Sequence, residues 1–87
     1  MDYKEKILRQ INTLTYGEAM TVITEQMKTI RGRWDSVVRQ NGRYYRYDYE
    51  RKHSYKEEYG KEVTGEDLKK YLALEEVYNA LSNGEIE

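Results

Sequence analysis

The sequence predicts a small α+β domain of order ααββα, with a two-stranded antiparallel hairpin (about residues 34–50) packed on three amphipathic helices. Three observations carry that expectation. Apolar residues recur at helical spacing in three separate segments. Thr15 and Thr64 each stand just before such a segment, where a threonine caps a helix. Between the second and third segments, Asn41-Gly42 separates two runs of β-favouring residues, the strongest short-range hairpin signal.

In the first helix Tyr3, Ile7, Leu8, Ile11 and Leu14 share one stripe, with Lys4, Glu5, Arg9 and Gln10 off it. Thr15-Tyr16-Gly17-Glu18 then reads as a capping box, with Leu14 and Ala19 as its hydrophobic staple. The first helix therefore ends near Leu14 and a second begins at once. That helix runs through Tyr16, Met20, Ile23, Met27 and Ile30 to a closing glycine, Gly32. Arg31 and Arg33 flank this end, where positive charge suits the helix dipole.

A two-residue type I′ loop at Asn41-Gly42 fixes the hairpin register. Gln40 faces Arg43, Val38 faces Tyr45, Ser36 faces Tyr47 and Trp34 faces Tyr49, all on one face. This aromatic slab is the face expected to lie on the core. The other carries Arg39 with Tyr44, Val37 with Arg46 and Asp35 with Asp48, and is expected to be exposed. The opposed aspartates require a neighbouring cation, which Arg33 or Arg46 supplies.

Residues 51–60 fit a loop with a short turn capped at Ser54, or an extension of the second strand to Tyr55; the loop is preferred. Thr64-Gly65-Glu66-Asp67 then opens the last helix, acids in its first turn and Val63 with Leu68 as the staple. Leu68, Tyr71, Leu72, Leu74, Val77, Tyr78 and Leu81 form its wide apolar face, and Asn83-Gly84 ends it.

Eighty-seven residues without Pro read as one domain, 1–87. Balanced hydrophobic (38%) and charged (36%) content argues against both a disordered tail and a membrane span. No signal-peptide core is apparent and there is no Cys, which points to a reducing compartment, the cytoplasm. Ten Tyr and no Phe suggest rings packed on one side and wet or ligand-facing on the other. Net charge is only −1, yet residues 31–53 hold seven Lys/Arg against three acids, and residues 54–87 hold four Lys against nine acids.

No reaction signature is present, so the expectation is a non-enzymatic protein with neither cofactor nor metal. His53 is the only imidazole, too few for a zinc site, and the glycines form no phosphate-cradling run. Arg39, Arg43, Tyr44, Arg46, Arg51 and Lys52 form the expected partner-binding surface. Arg and Tyr dominate protein–protein hot spots, so the first expected partner is a larger protein or protein–nucleic acid complex. The alternative is DNA or RNA, with guanidinium on phosphate and tyrosine stacked on a base. The chain itself is expected to be a monomer or homodimer. In general look (short, Cys-free, Lys/Glu/Tyr-rich) it is similar to many small proteins of phages and mobile elements, including inhibitors of host defence. That resemblance implies a compact inhibitor occupying a site on a larger protein, and carries no residue assignments.

Overall fold

The structure, a computed structural model, describes residues 2–48 and 62–84. The elements are α1 (Tyr3–Ile11), α2 (Tyr16–Arg31), β1 (Ser36–Gln40), β2 (Arg43–Tyr47) and α3 (Gly65–Ser82), an α+β order of helix, helix, strand, strand, helix. None of the described helices is long and apolar enough to cross a membrane.

Local chemistry explains most boundaries. Asp2 caps α1 by accepting the Glu5 N–H at 2.8 Å, a cap the apolar stripe did not single out. This helix ends at Ile11, earlier than Leu14, because the Leu14 N–H turns back to the Ile11 carbonyl at 3.0 Å. The capping box at α2 is complete. Glu18 N–H donates to the Thr15 hydroxyl at 3.3 Å, and Thr15 N–H donates to the Glu18 carboxylate at 3.1 Å. The Thr15 N–H first, and then the Thr15 hydroxyl, which donates to the same carboxylate at 3.0 Å, hold the Glu18 carboxyl below its usual range. Gly32 closes α2 with φ 66 and donates its N–H to the Lys28 carbonyl at 2.8 Å.

The start of α3 works differently. Thr64 occupies the cap position, but its side chain makes no capping hydrogen bond. The next residue, Gly65, has φ 61, a left-handed conformation that any β-carbon would strain. The chain thus enters α3 through a glycine turn, without help from the threonine hydroxyl.

α3 packs against both α1 and α2. Its Tyr71, Leu74, Val77 and Leu81 meet Ile7 and Ile11 of α1 and Ala19, Ile23 and Ile30 of α2 in one core. α1 and α3 run in the same direction: Tyr3 hydrogen-bonds Glu66 at one end, while Ile11 and Leu81 line a common hollow at the other. Tyr16 and Leu72, both placed on the apolar stripes by spacing, are exposed. Tyr16 is the first residue of its helix, and Leu72 lies about 100° round from Tyr71, off the buried line.

The hairpin register is the expected one: Ser36 with Tyr47, Val37 with Arg46, Val38 with Tyr45, Arg39 with Tyr44 and Gln40 with Arg43. Asn41 (φ 54) and Gly42 (φ 77) both have the positive φ that a type I′ turn needs. The strands are shorter than 34–50 at the Trp34 end; residues 49 and 50, and the loop expected over 51–60, lie outside the described residues. On the far side of β2, Glu62 bridges Tyr45 and the Val63 N–H donates to the Tyr44 carbonyl at 2.8 Å. This short return gives β2 a neighbour on each edge, and it buries Val63 completely.

The face assignment is reversed. Tyr44 is buried and Arg46 nearly so, whereas Val38, Tyr45 and Tyr47, from the aromatic slab, point away from the helices and stay partly exposed.

The two caps predict different mutational costs. Thr15→Ala should destabilise by about 1 kcal/mol in urea unfolding, the usual loss for a side-chain cap, and Thr64→Ala by only a few tenths. Equal costs would contradict the distinction.

Candidate functional site

Of the six residues expected to form an exposed partner surface, two are held inside the fold. The Tyr44 ring packs against Tyr71 of α3 with centroids 5.8 Å apart and planes tilted by 57°. Its hydroxyl donates to the Glu75 carboxylate at 3.0 Å. Tyrosine suits this position because the ring fills the gap between sheet and helix while the hydroxyl has a built-in acceptor. Burial first, then the Glu75 hydrogen bond, raise the Tyr44 pKa, and nearby Arg39 draws it part of the way back. Tyr71 is likewise raised, chiefly by burial, then by the charge of Glu75.

Arg46 is the second correction. Its side chain is only 15% exposed. Nε donates to the Ile30 carbonyl at 2.8 Å, one of the last carbonyls of α2, which has no partner within the helix. One Nη reaches the Glu62 carbonyl at 3.4 Å, and the other meets the Asp67 carboxylate of α3 at 3.4 Å. A guanidinium can serve three acceptors at once because its donors fan out in one plane. The expectation of an exposed Arg46 rested on its place opposite the aromatic slab and on its charge. What overturned it is a set of backbone and carboxylate acceptors brought in from distant parts of the chain.

Arg39 and Arg43 are at the surface, one on each face of the ribbon beside the Asn41-Gly42 turn. Arg43 is 67% exposed and lies 3.8 Å from Glu62, a long pair in water. Arg51 and Lys52 lie outside the described residues, as does His53. At the other end of the ribbon the Arg33 guanidinium sits over the Trp34 ring, 5.6 Å from its centroid. Among the described residues no three His, Cys, Asp or Glu side chains gather as a metal site would require.

The sequence reading gave Asp67 only a place in the first turn of the last helix and left Glu75 solvated, yet these acids receive Arg46 and Tyr44. A signal was available for Glu75: it follows Tyr71 by one helical turn, beside the residues read as apolar face.

Two outcomes follow from this geometry. Arg46→Ala should cost about 2–4 kcal/mol in chemical denaturation, because it strands buried acceptors, whereas Arg43→Ala should change stability by under about 0.5 kcal/mol. The raised tyrosine pKa values also set an alkaline limit. Their contribution is intact below the unfolded tyrosine pKa of about 10 and is lost as pH rises through the higher folded values. Stability measured across that range should fall, and Tyr44→Phe should fall less steeply; identical slopes would show that Tyr44 does not titrate with unfolding.

No family model matches this chain, and no curated protein or solved structure matches it either.

Proposed function

We propose that this protein is a non-enzymatic, cytoplasmic binding module that presents the tip of its hairpin to an acidic surface of a larger protein. The observation that carries this reading is the pair Arg39 and Arg43. They straddle an exposed turn, and folding accounts for neither as it accounts for Arg46. Arg39 makes no ion pair among the described residues, and the exposed Arg43–Glu62 pair is of a kind worth at most about 1 kcal/mol. Both guanidiniums can exchange their present surroundings for a partner's carboxylates at little cost. Arg51 and Lys52 follow the same ribbon in sequence and are proposed as part of the same contact. The compositional likeness to small phage and mobile-element proteins favours a blocking role at a functional site of the partner.

A second reading, nucleic acid, gains support from the reversed faces. Tyr45 and Tyr47 share the outward face with Arg43, the interleaving that single-strand binders use. The overall charge of −1 weighs against it.

The double variant Arg39→Ala/Arg43→Ala should melt like wild type and lose roughly tenfold or more in affinity for a partner captured from the source cell. A steep dependence on salt together with retention on heparin would transfer the assignment to nucleic acid. Undiminished partner capture by the double variant would remove the hairpin tip from the contact.

A further inference from the structure

At the base of the hairpin, away from the turn, a hollow of about 320 Å³ opens between the second half of α2, the start of β1 and the middle of α3. Its polar lining is Thr24, Lys28 and Arg31 from α2, Asp35 just before and Ser36 at the start of β1, and Tyr71 and Tyr78 from α3. The size is that of a small-ligand site. We propose that this cleft is an oxyanion site, anchored by the Arg31 guanidinium, that takes a phosphate group.

Arg31 motivates the assignment. It is half-buried, no carboxylate pairs with it among the described residues, and its buried Nε has no hydrogen-bond partner there. A partly desolvated cation left without a counter-charge is costly, and an anion in the adjoining space removes that cost. Lys28 adds a second cation at the rim; its only described pairing is an exposed contact with Glu25 at 3.6 Å, which is easily given up. Ser36, Tyr71 and Tyr78 add hydroxyl donors from two further walls. Donor-bearing side chains lining the cleft from three elements suit a tetrahedral phosphate better than a planar carboxylate, which needs one fork in one plane. Asp35 is the opposing charge in the lining. Glu75 lies beyond Tyr71, where its charge acts on the two tyrosines, and its carboxylate accepts the Tyr44 hydroxyl.

The test is a titration of the whole protein with inorganic phosphate at constant ionic strength, followed by NMR at the arginine Nε–H and tyrosine ring signals. Sodium chloride serves as the reference, and succinate as the carboxylate arm. Wild type should show a saturable shift at the Arg31 Nε–H and at Tyr78 with phosphate, weaker with succinate and absent with chloride. Arg31→Gln should weaken phosphate at least tenfold. Tyr78→Phe, which keeps the ring in place, should weaken it several-fold and covers the case in which Arg31→Gln fails to fold. Arg39→Ala/Arg43→Ala should bind phosphate like wild type, which separates this cleft from the hairpin tip. Succinate binding more tightly than phosphate would overturn the phosphate assignment. No saturable shift, or a shift that survives Arg31→Gln, would overturn the site itself.

Discussion

Arg46 is the side chain on which the relation of sheet to helices depends. A two-stranded hairpin is barely stable alone, and this one places only Tyr44 among the buried core side chains. Apolar burial therefore supplies little to fix its tilt. Arg46 supplies direction instead, with one guanidinium holding the end of α2, the return at Glu62 and the first turn of α3. Lysine cannot replace it, because a single ammonium on a flexible stem does not fan its donors across three separated acceptors. Net stabilisation from such a buried ion is modest once desolvation is counted. Its larger effect is to make one face of the ribbon the inner one.

That effect explains where the sequence was legible and where it was not. Thr15-Glu18, Gly32 and Asn41-Gly42 act through neighbours within a few residues, so their meaning can be read in order along the chain. The register follows from the turn alone, and it holds for the five pairs from Ser36–Tyr47 to Gln40–Arg43. Which face turns inward is a different kind of question. By hydrophobicity the Val38, Tyr45 and Tyr47 face should win. It loses because the opposite face has specific acceptors: Glu75 for the Tyr44 hydroxyl, and Ile30, Glu62 and Asp67 for Arg46. Those lie between 16 and 31 residues away in sequence, beyond any local pattern. Thr64 misleads for the opposite reason. The right residue type stands at the right position, but the positive φ of Gly65 makes the turn and leaves its hydroxyl without a capping role.

The excess of tyrosine over phenylalanine takes on a physical sense in the same way. Tyr44 and Tyr71 pack at a tilt where sheet meets helix, and both feel the Glu75 carboxylate. Phe at position 44 would fill the gap but leave Glu75 without the hydroxyl that it accepts. Tyr3 plays a related part at the other end of α3, where its hydroxyl meets Glu66 and its ring carries Lys70 at 5.6 Å. For Tyr44 and Tyr3 the hydroxyl ties a strand or a helix to an acid on α3.

The charge separation along the chain divides into two populations on the same principle. Part of the basic middle is neutralised within the fold by the acidic end, with Arg46 on Asp67 and Arg43 on Glu62. The two pairs are not equivalent. Arg46 is shielded and bound to backbone carbonyls besides, so moving it would leave several acceptors exposed to no donor. Arg43 reaches Glu62 at 3.8 Å through water-accessible space, where entropy and screening cancel most of the attraction. Loss of the Glu62 side-chain contact would not disturb β2, because the Tyr45–Glu62 bridge and the Val63–Tyr44 hydrogen bond hold the backbone independently of that side chain. The hairpin is therefore anchored by one arginine and left exposed at the next one beside its turn, the arrangement on which the proposed binding tip relies.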